Sequence, residues 1–262
     1  MKKYLMTAVA ALAAASFTSC SNEVDMFEPI SSEKATIDLN ITNDDAVVTR
    51  AIQNATTSEW WAKMGNNDWA QANTLEGKTY TPGTYSIQVG NFKSQADAMP
   101  DKKAGEPYYT LTQSVTLGKG TNKVDFACGT AKNGMVTVDW SGTSGVAGLT
   151  MTNVAASQEV ATETTPIVRT YTYTAGGDAY FYAGAEVTFT INYTYNSVPK
   201  TITKKITPAA ATQYAFNVKA NSNGTITTLT ITYNDYMENG AATTTTINAA
   251  TGAEATGAEA TN

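Results

Sequence analysis

The sequence predicts an all-β protein made of two tandem β-sandwich domains, of Greek-key and immunoglobulin- or transthyretin-like type. Of the 262 residues, 15% are charged and 42% are hydrophobic, and threonine is abundant. Threonine, valine, isoleucine and tyrosine fit the pleated, half-buried surface of a strand. Turn residues separate short runs of alternating apolar and polar residues at intervals of about 8 to 12 residues, which is typical of sandwiches.

The composition excludes several classes of protein. The chain has no histidine, which excludes Ser-His and Cys-His nucleophiles and histidine-ligated zinc. A formal charge of −6 and a pI near 4.7 argue against nucleic acid as a partner. The carboxylates are scattered along the chain, and no glycosidase-like pair stands out. We therefore expect a protein that is not an enzyme and that uses no cofactor and no metal.

The first twenty residues resemble a bacterial lipoprotein signal. Two lysines precede an apolar run from Tyr4 to Phe17. As a helix this run would span about 21 Å, which is less than the roughly 30 Å of a bilayer core. Phe17-Thr18-Ser19-Cys20 resembles a lipobox, in which the signal peptide is removed before a cysteine that becomes fatty-acylated. The sequence thus predicts a signal peptide over residues 1–19 and lipidation, with palmitate among the acyl chains, at Cys20.

The residues after Cys20 predict where the anchored protein lies. Ser21 stands where aspartate would retain a lipoprotein in the inner membrane, and by resemblance this favours the outer membrane. Glu23 and Asp25 are similar to surface-export signals of Bacteroidota lipoproteins. Residues 20–34 are polar and are interpreted as a lipidated tether. We expect a protein held at the outer membrane by its N-terminal lipid and facing the extracellular side.

The first predicted sandwich covers residues 35–130. In Ala35–Thr42 the apolar residues Ile37, Leu39 and Ile41 alternate with polar ones, which indicates a half-buried strand. Residues 57–59 could cap a short helix that runs through the following tryptophans to Met64. Further alternation predicts strands around Tyr85–Val89, Leu111–Leu117 and Val124–Cys128, with a loop at Ser94–Pro107. Cys128 alternates with Val124 and Phe126 and is interpreted as a small core residue.

The second predicted sandwich covers residues 131–240, with the boundary near Gly129–Gly134. A strand opens at Met135, and the later alternating segments are Ile167–Thr174, Ala179–Tyr182, Glu186–Tyr195, Lys200–Thr207, Gln213–Lys219 and Thr225–Asn234. Residues 241–262 consist mainly of Thr, Ala, Gly and Glu. A segment with so little apolar area cannot offset the entropy of ordering, so the sequence predicts disorder there.

Three of the four tryptophans form the first candidate site. Trp60, Trp61 and Trp69 lie close together in the sequence beside Asn66, Asn67 and Asp68. Exposed indole rings would stack on sugars and form a glycan-binding surface. The alternative is that these rings cover the end of the sandwich core. One carboxylate is too few for a tight calcium site in this segment.

The second candidate site is a point of proteolytic processing between Arg50 and Ala51. Thr49-Arg50-Ala51 follows the first predicted strand and begins a poorly patterned segment that a protease could reach. A cut there would separate the lipid-linked strand Ala35–Thr42 from the body of the protein. A sandwich that loses an edge strand exposes a groove that another strand can fill. The alternative is an ordinary surface arginine in a linker.

Four ordered motifs carry a resemblance to known proteins. These are Pro82-Gly83-Thr84-Tyr85, Pro107-Tyr108-Tyr109, Val124-Asp125-Phe126-Ala127-Cys128 and Asn133-Gly134-Met135-Val136-Thr137-Val138. With the lipobox they resemble outer-membrane lipoproteins of Bacteroidota from a family of unknown function. That group is similar to fimbrillin-type (type V pilus) proteins, which are two-domain β-sandwich lipoproteins that polymerise by strand exchange after an arginine-specific cut. The resemblance implies partners among other fimbrial subunits.

Together these observations predict a surface-exposed, non-enzymatic lipoprotein that is a fimbrial or adhesion component or an accessory subunit. The tail differs from a donor strand because it lacks alternating large apolar residues, which leaves a tip, anchor or stand-alone role open. The alternative is a glycan-binding surface lipoprotein of a carbohydrate-uptake system that uses Trp60, Trp61 and Trp69.

Overall fold

The computed structural model of the chain describes residues 34–43, 60–161, 165–224, 226–235 and 242–255. Strands account for 58% of these residues and helices for 6%, which confirms the predicted all-β sandwich class. The predicted signal peptide, the lipidation site Cys20, nearly all of the tether and the processing site Arg50-Ala51 lie outside the described residues.

Six strands and two short helices form the N-terminal part. Their bounds are β1 Ala35–Thr42, β2 Trp61–Met64, β3 Ala70–Gln71, α1 Asn73–Glu76, β4 Gly83–Gly90, α2 Gln95–Ala98, β5 Thr110–Leu117 and β6 Gly120–Ala127. A four-stranded antiparallel sheet has the order β3-β2-β4-β5, and β1 pairs in parallel with β6. The apolar faces of the two sheets enclose one core, to which β1 contributes Ala35, Ile37, Leu39 and Ile41. The bounds predicted for β1 are therefore confirmed.

The predicted helix at residues 60–64 is wrong. The segment forms β2, in which Ala62 and Met64 are buried while Trp61 and Lys63 point outward. This two-residue period is that of a strand. β2 pairs with β4 from Trp61 opposite Gly90 to Met64 opposite Ile87, so tertiary pairing outweighs the local capping pattern.

Nine strands form the C-terminal part. Their bounds are β7 Asn133–Asp139, β8 Leu149–Val160, β9 Ile167–Tyr173, β10 Gly177–Tyr182, β11 Val187–Tyr195, β12 Val198–Ile206, β13 Gln213–Ser222, β14 Thr227–Asp235 and β15 Thr243–Asn248. One sheet has the order β10-β7-β13-β14-β15 and the other β12-β11-β8-β9. Their facing sides enclose a second core rich in aromatic residues, in which the rings of Phe189 and Phe216 stack with centroids 4.7 Å apart.

Many of the abundant threonines occupy the outer faces of these sheets. On β11 the residues Val187, Phe189 and Ile191 are buried, whereas the intervening Thr188 and Thr190 are partly exposed. Threonine is β-branched and favours strand backbone, and its hydroxyl remains hydrated on the outside. The threonine content is therefore a consequence of the fold.

The predicted disorder of residues 241–262 is wrong for residues 243–248, which form β15. This strand pairs antiparallel with β14 from Thr228 opposite Asn248 to Tyr233 opposite Thr243. Ile247 and Ala249 are buried against the C-terminal core, and Ile247 forms a further bridge with Glu254. A strand that joins an existing sheet edge gains backbone hydrogen bonds along one side, and here these bonds act together with the burial of Ile247 to order the segment. Residues 256–262 lie outside the described residues.

The described residues from Lys34 onwards form one compact unit that contains both cores. A third group of buried residues lies where the N-terminal and C-terminal parts meet, and we call it the junction cluster. It consists of Ala98, Met99, Tyr108, Met135, Tyr180 and Tyr182. The division into two domains at residues 130 and 131 stays a prediction.

Candidate functional site

The structure separates the three tryptophans of the predicted glycan surface. Trp60 is 1% exposed and packs in the N-terminal core. Its indole Nε1 is buried with no hydrogen-bond partner among the described residues. Trp60 cannot stack on a sugar, so its proposed role in glycan binding is wrong and the alternative of core packing is correct for this residue.

Trp61 and Trp69 are partly exposed, and each has a lysine close to its ring. The Lys93 ammonium lies 4.1 Å from the centroid of Trp61, and that of Lys63 lies 5.3 Å from the centroid of Trp69. These are cation–π contacts, which stabilise exposed pairs by about 0.5–1 kcal/mol. A sugar would have to displace the ammonium group from the ring that it covers. Glycan binding by Trp61 and Trp69 stays a prediction.

Cys128 has the character that the sequence indicates for a core residue. It is 3% exposed in the N-terminal core, and burial raises the pKa of its thiol to about 11. Because the thiolate is the reactive form, the buried Cys128 is unreactive at neutral pH.

The aromatic residues from Tyr171 to Tyr195 mostly pack inside the structure. Tyr173, Phe181 and Tyr193 are buried in the C-terminal core, and Tyr171 is partly buried beside it. The rings of Tyr171 and Tyr173 meet edge to face with centroids 4.8 Å apart. Burial raises the pKa of Tyr173 well above its usual value.

A buried arginine dominates the junction between the two parts. Arg169 lies on β9 and is 1% exposed. Its Nε donates a hydrogen bond of 2.8 Å to the Tyr180 carbonyl. The terminal nitrogens donate to the carbonyls of Pro100, Lys103 and Ala104. Arg169 therefore ties the segment between α2 and β5 to the C-terminal sandwich.

The charge of Arg169 is compensated mainly by backbone dipoles. Four carbonyl oxygens accept its hydrogen bonds, and the guanidinium carbon lies 5.4 Å from the ring centroid of Phe181. Burial lowers the pKa of the guanidinium, while the nearby Tyr173, Tyr182 and Asp101 act in the opposite direction. Arginine nevertheless stays charged at neutral pH, so a buried cation holds this segment in place.

Two buried asparagines hold the following segment, residues 106–109, from opposite sides. Asn133 donates to the Glu106 carbonyl over 2.9 Å and accepts from the Tyr108 amide over 3.0 Å. Asn91 donates to the Pro107 carbonyl over 2.7 Å and accepts from the Tyr109 amide over 2.8 Å. Each asparagine side chain thus makes the pair of hydrogen bonds that the backbone of a neighbouring strand would make. The sequence motifs that begin at Pro107 and Asn133 are in contact here.

A cavity of about 390 Å³ opens beside this fixed segment. It is lined by Ala104, Gly105, Glu106, Pro107, Met135, Tyr171, Gly176, Gly177, Asp178 and Tyr180. The volume lies within the roughly 300–1,000 Å³ range of small-molecule sites, which often form where two structural units meet. Among these lining residues the charged groups are the carboxylates of Glu106 and Asp178.

Sequence reasoning did not single out Arg169 or the cavity. The sequence does contain a sign of the buried arginine. Arg169 lies four residues before the buried Tyr173 and therefore on the same face of the strand. A charged residue at an inward position is expensive unless it is hydrogen-bonded, so it indicates a structural or functional contact. The partners could not be read from the sequence because three of them lie about 65 to 70 residues earlier.

Neither a metal site nor a membrane-spanning helix is found in the described part of the chain. Among these residues no group of three or more His, Cys, Asp or Glu could hold a metal ion. No helix in the described ranges is long and apolar enough to cross a membrane.

Comparison with known proteins finds similarity to a solved structure but to no family. No family model matches the chain, and no curated protein is significantly similar to it. A solved structure of a "putative cell adhesion protein" from Bacteroides fragilis NCTC 9343 covers 79% of this chain and 99% of its own. The two sequences are 10% identical and the TM-score is 0.39. We transfer neither a fold nor a role from a similarity of this size.

Proposed function

We propose that the protein is a lipid-anchored, non-enzymatic component of the cell surface that assembles with other chains by exchange of its first strand. The observation that carries this proposal is the position of β1. Among the described strands β1 pairs with β6 alone, so it lies at a sheet edge. It also directly follows the predicted tether from Cys20 and precedes Arg50 in the sequence.

The core depends strongly on β1. Ile37, Leu39 and Ile41 are each at most 4% exposed. Burying a large aliphatic side chain contributes about 1.5–3 kcal/mol, so these three residues together contribute about 5–9 kcal/mol. A body without β1 would expose an apolar groove of matching length beside β6, and a strand from another chain could fill it.

Hydrogen bonds from the backbone at the outer edge of β1 oppose its spontaneous release. The Leu39 amide donates to the Glu76 carboxylate over 3.1 Å. Ala35 exchanges two backbone hydrogen bonds of 2.8 Å with Tyr80. Release of β1 therefore requires a cut in the connection and the arrival of a competing strand.

The arginine content makes the proposed processing specific. The sequence contains two arginines, Arg50 and Arg169. Arg169 is buried and hydrogen-bonded to four carbonyls, which leaves Arg50 as the candidate site for an arginine-specific protease.

Limited digestion tests this proposal. We expect an arginine-specific protease to produce a single new N-terminus at Ala51 and a product that self-associates on size-exclusion chromatography. Arg50→Lys keeps the charge and should resist the cut. A peptide of residues 34–43 should block the association, whereas the same peptide with Leu39→Asp should not. A cut product that stays monomeric after the first-strand peptide is removed refutes the proposal.

The proposed anchor has a separate test. Cys20→Ala should abolish metabolic labelling with palmitate and release the protein from the membrane fraction. Labelling that persists in this variant, or an unlabelled wild type in the cytosol, contradicts anchoring at Cys20.

A further inference from the structure

We infer that the cavity between the 104–107 segment and strands β9 and β10 binds one sugar ring, either as a free monosaccharide or as the terminal residue of a glycan. This site does not depend on strand exchange. It is also distinct from the surface at Trp61 and Trp69. Four features of the cavity support the inference: a fixed wall, an aromatic side, hydrogen-bond acceptors and a suitable charge balance.

The wall of the cavity is fixed before any ligand binds. The Ala104 carbonyl accepts from Arg169 over 2.8 Å and from the Tyr180 amide over 2.8 Å. The carbonyls of Glu106 and Pro107 accept from Asn133 and Asn91. A ligand that meets a rigid wall loses little affinity to ordering of the protein. Three buried polar side chains, those of Arg169, Asn133 and Asn91, thus hold the 104–107 segment in one conformation.

Gly105 is required for the shape of this wall. Its φ angle is +80°, and a Cβ there would lie 3.0 Å from the Ala98 carbonyl oxygen and 3.2 Å from the Met99 Cα. The chain therefore passes close to α2 while its other side faces the cavity. A larger residue at this position would push the wall into the cavity.

The lining combines an aromatic ring with oxygen acceptors. Tyr171 lines the cavity and is partly exposed, so the C–H face of a sugar can pack on its ring. Asp178 accepts a hydrogen bond of 2.8 Å from the Thr137 hydroxyl, which holds the carboxylate in one orientation. Thr137 in turn accepts from Gln213 over 3.3 Å. Carboxylates in a fixed orientation accept hydrogen bonds from sugar hydroxyls, and these charge-assisted bonds are the stronger kind.

The charge balance favours a neutral ligand that is rich in hydrogen-bond donors. The lining residues include two carboxylates and no lysine or arginine, which disfavours an anion. The Arg169 cation lies directly behind Ala104, which reduces the attraction for a cation. Among the described residues no group of three or more His, Cys, Asp or Glu could hold a metal ion. A hydroxylated ring satisfies both the acceptors and the ring of Tyr171.

The experiment measures binding of free monosaccharides to the mature full-length chain by ligand-detected NMR. The probes are neutral hexoses, N-acetylhexosamines and a uronic acid at millimolar concentration, and an array of immobilised glycans tests the same rings as terminal residues. We expect at least one neutral ring to bind in one or both formats. Asp178→Ala and Tyr171→Ala should each weaken it about tenfold or more.

Matched variants distinguish binding in the cavity from binding at the tryptophan surface. Asp178→Asn keeps an acceptor and should retain part of the binding. Asp139→Asn changes a carboxylate on β7 that does not line the cavity, and Trp61→Ala changes the predicted tryptophan surface; both should bind as the wild type does. Circular dichroism and thermal unfolding show whether each variant is folded.

Three results overturn the inference. The first is that no neutral ring binds in either format. The second is binding that disappears in Trp61→Ala but persists in folded Asp178→Ala and Tyr171→Ala, which places it at the tryptophan surface. The third is a uronic acid that binds in place of every neutral ring. Because none of these measurements involves a protease, failure here leaves the strand-exchange proposal standing.

Discussion

Replacing Arg169 with methionine keeps an unbranched side chain of similar length and removes the guanidinium. The four carbonyls of Pro100, Lys103, Ala104 and Tyr180 then each lose one donor. Ala104 keeps the Tyr180 amide and Pro100 keeps the Lys103 amide as donors. A buried polar group left without a partner costs about 1–3 kcal/mol. Some of these carbonyls belong to a partly exposed segment and regain water, so the full sum is not reached. We expect a loss of about 3–5 kcal/mol, equivalent to about two carbonyls left without a partner.

Equilibrium unfolding in urea measures this loss globally. Since domains are stable by about 5–15 kcal/mol in total, the midpoint should fall markedly. Arg169→Lys keeps the charge with fewer donors and should be intermediate. Lys219→Met removes an exposed cation elsewhere and should change stability by less than about 0.5 kcal/mol.

Hydrogen exchange identifies where the loss occurs. The Tyr180 amide donates to Ala104 and the Lys102 amide donates to Thr170, so both bridge the two parts next to Arg169. In Arg169→Met they should lose protection first, while the Ile191 amide in the centre of the second core should follow only global unfolding. If the variant unfolds at the wild-type midpoint and keeps protection at Tyr180, the reasoning about Arg169 is refuted.

Three further predictions follow from the burial of single residues. The folded state holds the Cys128 proton more tightly than the unfolded state, whose thiol has a pKa near 9.0 against about 11 when folded. This contribution to stability is complete below pH 9 and is lost as the pH rises toward 11. Urea titrations at each pH should show that the wild type loses about 2–3 kcal/mol of unfolding free energy relative to Cys128→Ala over this range. Equal pH dependence of the unfolding free energy in the two proteins would contradict the prediction. Asn133→Ala should cost about 2–4 kcal/mol because the Tyr108 amide and Glu106 carbonyl lose their partner, whereas Asn66→Ala in an exposed turn should be neutral by the same assay. Ile247→Ala should cost about 2–3 kcal/mol in thermal or urea unfolding, and a variant as stable as the wild type would mean that β15 adds nothing to the core.

The alternation of side chains along the sequence predicts which segments are strands and which face is buried. Ala35–Thr42 has the predicted bounds, and the predicted segments Ile167–Thr174 and Glu186–Tyr195 agree within one residue with β9 and β11. Alternation does not identify partners. The parallel pairing of β1 with β6 joins residues about 85 positions apart, and no local pattern encodes it.

The strand β8 escapes sequence reasoning for a physical reason. It is a central strand with twelve residues, yet its inward positions include Ala156 and Gln158, which carry little apolar signal. The register with β11 also shifts between Asn192 and Tyr193, so the alternation changes phase within the strand. Gln158 is buried because it donates to the carbonyls of Tyr182 and Ala185, a role that depends on the folded neighbours.

The candidate cavity is equally inaccessible to sequence reasoning. Its lining comes from residues 104–107, Met135 and residues 171–180, which no single motif contains. The tryptophan pattern, in contrast, is visible but ambiguous. Trp60 directly precedes β2 and is buried, whereas its sequence neighbour Trp61 is the first residue of β2 and is partly exposed.

The parallel pairing of β1 with β6 also affects the order of folding. Two strands about 85 residues apart close a long loop, and the entropy of that closure is lost before any contact compensates for it. Topologies with such distant pairings fold slowly. The antiparallel pairing of β4 with β5 closes a much shorter loop, so β1 is the late-joining element. A chain whose later strands are already assembled still has an unpaired edge at β6, and the β1 strand of its own chain or of another chain can pair with it.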